Sequence, residues 1–279
     1  MSLYGWNFKG EKYLGSDLSG NFQELANEAK NKIFISLPSD AHNYTYLLIP
    51  GLFANNYGNR YMQDNVEYIQ KLGLDIRKID IDTGATVEEN SESIRNYILN
   101  EKRKLVIIGH SKGGVDVATA IAKYDLYEYV KCLIMLQVPW AGSQFAQEVE
   151  YEGLITSFFN LTSNIFPMNK NAIADLRYEE RRKMIKKYKL DISRIKIISV
   201  YSLLENKKSL LYPFYSLLKK KYDIESDGFV GKEDALISGT DYIKIDNLDH
   251  CNSVFMFEKR ISNFIYPGEI TYALIVLSF

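Results

Sequence analysis

From Tyr44 onward, short apolar runs alternate with longer stretches whose apolar residues recur at helical spacing. The runs at Tyr44–Pro50, Asp75–Asp80, Lys104–Gly109, Val130–Val138, Lys196–Leu203 and Tyr242–Ile245 predict strands. The stretches near Arg60–Leu72, Glu88–Lys102, Gly114–Tyr124 and Phe255–Ile265 predict helices. Helix Glu88–Lys102 opens on acidic and closes on basic residues, as the helix dipole favours. Such alternation predicts an α/β fold: a mostly parallel sheet with helices on both faces. Residues 1–43 are less regular, with a helix expected near Asn21–Asn31 and a strand near Ile33–Leu37. The apolar run ALIVL within Ile270–Phe279 is too short to span a bilayer. It leaves open a last strand, or a tail that docks on the domain or on a membrane.

The stretch Ala141–Leu190 breaks the alternation. It holds two apolar segments, Leu154–Phe159 and Ile165–Met168, then a charged helix at Tyr178–Lys189 whose face is expected to be solvated. The expectation is one domain over residues 1–279 with a helical cap insertion at 141–190, lying over the C-terminal edge of the sheet where open α/β sheets bind ligands. Leu154, Phe158 and Phe159 are expected to line an apolar substrate channel.

Chemistry concentrates at Leu105–Gly114, LVIIGHSKGG, a buried strand running into G-x-S-x-G and then a helix. Strand, tight turn and helix around a serine form a nucleophile elbow. A serine hydroxyl needs a base, and the base an orienting carboxylate, and resemblance of the elbow to that of α/β-hydrolases implies the chain order serine, acid, histidine. Of the three histidines, His42 comes too early and His110 precedes the serine, which leaves His250 as the base. Asp227, in an Asp-Gly turn, is the chosen acid, with Asp223, Glu225, Asp246 and Asp249 as rivals. The oxyanion hole needs two backbone N–H donors. Lys112 supplies one, and Leu52 after the Pro50-Gly51 turn the other, with Phe53 next in line. Leu52 and Phe53 would also line the acyl site.

Read in order, LLIPGLF, VIIGHSKGG, QVPWAGSQFA, AIADLRYEERRKM, ESDGFV and LDHCNSV resemble the lipase and esterase branch of the α/β-hydrolase superfamily. The chain is most similar to bacterial triacylglycerol lipases and their intracellular eukaryotic relatives, over about Tyr44 to Ile265. The resemblance implies an α/β-hydrolase fold with the family's serine, acid and histidine at Ser111, Asp227 and His250. Three positions depart from it. Pro50-Gly51 stands where the family often has His-Gly, which a backbone donor tolerates. Asn252 stands where many members have a calcium-binding aspartate, and a neutral amide weakens such a site, so no metal is expected. Lys112 replaces a small or amide residue, with its side chain given no role.

The expected function is therefore serine-dependent hydrolysis of carboxylic esters with an apolar acyl chain, needing no cofactor. Acyl transfer or thioester cleavage on the same residues stays open, as does a non-catalytic binding role for the same fold. Composition adds mainly exclusions. A net charge of -1 over 279 residues gives no basic field for nucleic acid. Two cysteines make no disulfide framework and suit a reducing compartment, with Cys132 read as a buried thiol. The first residues carry no apolar leader pattern, which reads as cytoplasmic. The expected partner is a small-molecule ester or lipid, with oligomeric state and peripheral contact with a lipid surface left open.

Overall fold

The structure, a computed structural model, describes residues 15–52, 54–151, 170–255 and 265–279, with 149–151 and 170 described through their backbone alone. In chain order it contains α1 (Ser19–Lys30), β1 (Thr45–Ile49), α2 (Gln63–Gln70), β2 (Asp75–Lys78), α3 (Val87–Asn100), β3 (Leu105–His110), α4 (Lys112–Tyr124), β4 (Val130–Leu136) and α5 (Gln144–Tyr151). There follow α6 (Lys170–Ala174), α7 (Tyr178–Lys187), β5 (Lys196–Leu203), α8 (Tyr212–Tyr222), α9 (Lys232–Ala235), β6 (Asp241–Asp246) and α10 (Pro267–Leu277). The strands form one six-stranded sheet in the order β2-β1-β3-β4-β5-β6, with every pair parallel.

Alternate side chains of a strand leave opposite faces of a sheet, and here both faces are buried. Tyr46, Leu48, Val106 and Ile108 pack with Phe22 of α1, Ile69 of α2 and Tyr272 of α10. Leu47, Ile49, Ile107 and Leu133 pack with Ile94 and Ile98 of α3 and Val115 and Ile121 of α4. Continuous apolar runs such as LVIIGH are what a doubly covered parallel strand requires. Helix α3 starts at a capping box: the Thr86 hydroxyl accepts from the Glu89 N–H, and the Glu89 carboxylate accepts from the Thr86 N–H.

Several expectations need correction. Ile33–Leu37 is not a strand. The Ile33 N–H bonds back to the Glu28 carbonyl, the Ser36 N–H and hydroxyl bond to the Glu28 carboxylate, and Ile35 is 86% exposed. The alternation in Ile-Phe-Ile-Ser has strand period, but α1 closes on these residues before they reach a sheet edge. Of the readings left open for the ALIVL run, the strand is not found and the run docks on the domain. It forms the helix α10, with Ile270, Tyr272, Leu274 and Ile275 buried against α1 and α2. A helix apolar all round is a buried one, and Pro267 in its first turn with Glu269 accepting from the Tyr266 N–H marks its start.

Helix α4 begins at Lys112, not Gly114. The charged helix is largely solvated as expected, but Arg181 is buried. Of the expected helix Phe255–Ile265, residues 256–264 lie outside the described residues, as do Phe53, Leu154, Phe158, Phe159 and Ile165–Met168. Among the described residues no helix is long and apolar enough to cross a membrane.

Burial of α10 gives a direct test. Leu274→Ala should cost about 2–5 kcal/mol of unfolding free energy in a urea titration. Leu210→Ala, at a position 82% exposed, should change it by no more than about 0.5 kcal/mol.

Candidate active site

The site begins with a backbone conformation. Strand β3 ends at His110, and Ser111 takes φ 52° and ψ −131°, a region a side chain rarely enters. The turn is held open to this geometry by its glycines. A Cβ on Gly109 would lie 2.5 Å from the Gly114 Cα, and one on Gly113 would lie 2.4 Å from the Pro50 carbonyl oxygen. The Ser111 N–H bonds to the Leu136 carbonyl at 3.0 Å, so the serine sits just past the C-terminal end of the sheet.

Two other loops at this edge reach the serine. His250 follows β6, and its Nε2 lies 2.9 Å from the Ser111 hydroxyl oxygen. Its Nδ1 lies 2.8 Å from Asp227 Oδ2. The other carboxylate oxygen of Asp227 accepts from the N–H groups of Phe229 at 2.9 Å and Val230 at 2.8 Å. The His250 N–H also bonds to the Asp227 carbonyl at 3.0 Å, which joins the two loops through their main chains. A carboxylate only accepts, so Nδ1 carries the imidazole proton and Nε2 presents its lone pair to the serine hydroxyl. All three residues are buried.

The rival carboxylates are engaged elsewhere. Asp223 and Glu225 face Lys219, and Asp246 pairs with Lys244. Asp249 accepts from the N–H groups of Cys251 and Asn252, the Ser209 hydroxyl and the Asn252 side-chain amide. It shapes the turn that carries His250. These donors occupy the lone pairs that a calcium ion would need, so the Asp249–Asn252 pair does not fit such an ion.

At the same edge of the sheet, the chain leaves β1, the neighbour of β3, through Pro50-Gly51. A Cβ on Gly51 would lie 2.9 Å from the Ser111 Cβ, so Leu52 begins beside the serine. Lys112 is the first residue of α4, where an N–H has no partner within its own helix.

No family model and no curated relative matches this sequence. Solved structures do match. The chain is similar to a metagenomic carboxyl esterase, MGS0156, at TM-score 0.77 and 20% identity over 95% of this chain and 93% of that one. It is similar to the mature lipase BlEst2 of Bacillus licheniformis at TM-score 0.67 and 19% identity, covering 85% and 91% of the two chains. It also matches the phospholipase PlaB of Legionella pneumophila at TM-score 0.50 and 17% identity, over 69% of this chain and 44% of that one. The chain has the α/β-hydrolase fold.

Within that hydrolase fold the structure adds residues that sequence reasoning missed. Gln137, buried at positive φ just past β4, donates its side-chain amide to the Ser202 hydroxyl and to the Asp249 carbonyl. It accepts from the Ser253 hydroxyl, and so fastens the His250 loop on both sides to the strand ends. A polar residue closing the apolar run KCLIMLQV was the available signal. Phe229 lies 5.3 Å from the His250 ring, centroid to centroid, and continues into Phe145 and Phe214, an aromatic wall beside the imidazole.

The Lys112 side chain, given no role from the sequence, has a structural one. It is buried and holds both carboxylate oxygens of Asp116 at 2.9 Å, one helical turn on, while Asn90 donates to the same carboxylate. Buried Arg181 donates to the Trp140 carbonyl and stacks over the Trp140 ring. Burial pushes the Arg181 guanidinium down to about 10, against the opposing pull of Asp116 and Asp175. Asp175 in turn caps α3 by accepting the Val87 N–H at 2.7 Å. Through Asp175 the described part of 141–190 is tied to the start of α3.

A second, half-buried tie is titratable. The Tyr178 hydroxyl donates to Asp234 Oδ2 at 2.9 Å, and the Ala141 N–H bonds to the Asp234 carbonyl. Burial pushes the Asp234 carboxyl up to about 7. Unfolded, it would titrate near about 4, so between these values the folded chain binds the extra proton. The stability this contributes is fully present below about pH 4 and is lost as pH rises through about 7. Asp234→Asn removes the titration. In urea unfolding series, the variant should gain on the wild type as pH is raised from about 4 to 8, and a constant difference would contradict this.

Proposed function

We propose that this chain is a serine hydrolase that cleaves carboxylic esters through an acyl-enzyme. The observation that carries this reading is the unbroken Ser111–His250–Asp227 chain, at 2.9 and 2.8 Å, built on a serine held at positive φ. A merely structural serine has no need of such strain, which costs on the order of 1–3 kcal/mol.

In the proposed reaction the Ser111 Oγ attacks the ester carbonyl carbon while its proton passes to His250 Nε2. Asp227 steadies the resulting imidazolium through Nδ1–H. The carbonyl electron pair moves onto oxygen, where the N–H groups of Leu52 and Lys112 hold the oxyanion. Collapse expels the alkoxide, which takes the proton from His250. Water, deprotonated by the same imidazole, then opens the acyl-enzyme and returns the acid and free Ser111. The aromatic wall of Phe145, Phe214 and Phe229 favours an apolar group on the substrate, and similarity to enzymes named lipase and esterase supports an ester or lipid. Segment 141–190 is the proposed cap.

Labelling by a fluorophosphonate probe tests the activated serine without knowledge of the substrate. Ser111→Ala should abolish labelling and ester turnover in a folded protein, and undiminished turnover would refute the assignment. His250→Ala should lower kcat by about 10³-fold or more, and Asp227→Asn somewhat less. An Asp249→Asn loss larger than that of Asp227→Asn would move the acid. Across p-nitrophenyl esters, medium or long acyl chains should exceed acetate in kcat/KM by about 10- to 100-fold, at up to about 0.8 kcal/mol per buried methylene. An optimum at acetate would favour a small-ester hydrolase instead.

A further inference from the structure

Three loops must stay in register for the proposed chemistry: the elbow, the Gly51 loop and the His250 loop. One side chain touches the structure of all three. Tyr61, from the turn ahead of α2, is buried with its hydroxyl beside the elbow. The Gly51 N–H donates to the Tyr61 hydroxyl oxygen at 3.0 Å. That oxygen lies 2.5 Å from Nδ1 of His110, the residue before the serine. The far ring nitrogen of His110, Nε2, lies 3.0 Å from the main-chain carbonyl oxygen of His250.

The direction of every proton in this chain follows from its two ends. A carbonyl oxygen only accepts, so His110 Nε2 carries a proton and donates to His250. Burial, and the neighbouring His250, hold His110 well below the ordinary histidine range, so its ring is neutral and Nδ1 is a bare acceptor. The Tyr61 hydroxyl therefore donates to Nδ1 and accepts from Gly51. Gln137 also lies within reach of the His110 ring, and the chain from Gly51 to His250 carries no net charge. Burial also pushes the Tyr61 hydroxyl far above its ordinary value, which keeps its proton in place.

The anchor of this chain is itself attached to the His250 loop. The N–H of Met62, a residue at φ 60°, bonds to the Val254 carbonyl at 3.0 Å. Phe255 packs edge-on against the Tyr61 ring at 4.9 Å. Gly51 completes the fit, since a Cβ there would lie 2.8 Å from the Tyr61 hydroxyl. With its N–H committed to Tyr61, the peptide entering Gly51 has a fixed plane, and the next N–H along the chain is that of Leu52.

We propose that Tyr61 is a positioning residue, a neutral clamp that sets the Leu52 N–H and the His250 imidazole relative to Ser111 through Gly51 and His110. The proposal rests on the serine-hydrolase reading above. It assigns Tyr61 no contact with substrate. Its loss should act on the transition state, where a displacement of about 1 Å can cost about 100-fold, and leave ground-state binding nearly untouched.

The test is steady-state kinetics on a p-nitrophenyl ester, with fluorophosphonate labelling and thermal melts alongside. Tyr61→Phe keeps the ring and its packing and removes the hydroxyl. It should lower kcat by about 10- to 100-fold with KM changed less than about threefold. His110→Leu, which breaks the same chain, should do likewise. His110→Gln, whose side-chain amide can still donate to the His250 carbonyl, should recover part of the loss. The Tyr61→Phe/His110→Leu double variant should be little worse than either single one, because both cut one chain. Folded Tyr61→Phe and His110→Leu proteins with full kcat, or losses confined to KM, would overturn the clamp while leaving the hydrolase reading in place. If Tyr61→Phe fails to fold, the contrast between His110→Leu and His110→Gln decides, and equal kcat in the two overturns the clamp. A wild-type protein that neither takes the probe nor cleaves any ester removes the hydrolase reading, and the clamp with it.

Discussion

The site depends on one backbone constraint, the positive φ of Ser111 between a strand buried on both faces and the helix that follows it at once. That conformation persists only because its surroundings over-determine it. The Ser111 N–H is held by Leu136, Gly109 lies against Gly114, and Gly113 lies under the Pro50 carbonyl. Each contact needs β1, β3 and β4 side by side and in register, which the apolar runs of those strands supply on both faces. The parallel arrangement then brings every strand-ending loop to the same edge, so loops distant in sequence converge on the serine.

Convergence alone does not orient side chains. Around Ser111 the orientation comes from main-chain groups bonded by buried polar side chains. Gln137 holds the His250 loop to the ends of β4 and β5, the Asp227 carboxylate is seated on two N–H groups, and Tyr61 with His110 spans from Gly51 to His250. In a low-dielectric interior such bonds are strong when complete and costly when one partner is missing. The polar layer at the sheet edge is therefore a rigid frame, while the apolar layers beneath it supply the stability. The buried Lys112–Asp116 pair belongs to the same logic. It sits at the start of α4, and breaking either half would strand a charge directly under the elbow.

The fold was legible in the chain because strand runs and helix periods are local signals, and six strands fall where the apolar runs are. Chain order and the scarcity of histidine pointed to Ser111 and His250, which the structure brings within 2.9 Å, but they left several carboxylates in contention beside Asp227. Local pattern failed where burial came from distant partners. Ile33–Leu37 has strand alternation but is bonded back to Glu28 of α1, and the C-terminal run becomes the helix α10 because α1 and α2 offer an apolar face to cover it. The charge-rich helix hides Arg181 because Trp140, Asp116 and Asp175 approach it from other elements.

By itself, then, the sequence determined the order of strands and helices, the elbow, and the residue types able to carry nucleophile, base and acid. Those follow from spacing of a few residues, which chain geometry reads directly. Only the tertiary structure decided which carboxylate faces His250, where Lys112 points, and that Tyr61 and Gln137 belong to the site at all. Asp227 and Asp249 are both short acidic residues in tight turns, and one faces the imidazole while the other closes its own loop. The difference is a matter of which lone pairs meet which N–H groups. His250 lies 23 residues beyond Asp227, and the two turns become neighbours only when the sheet is assembled.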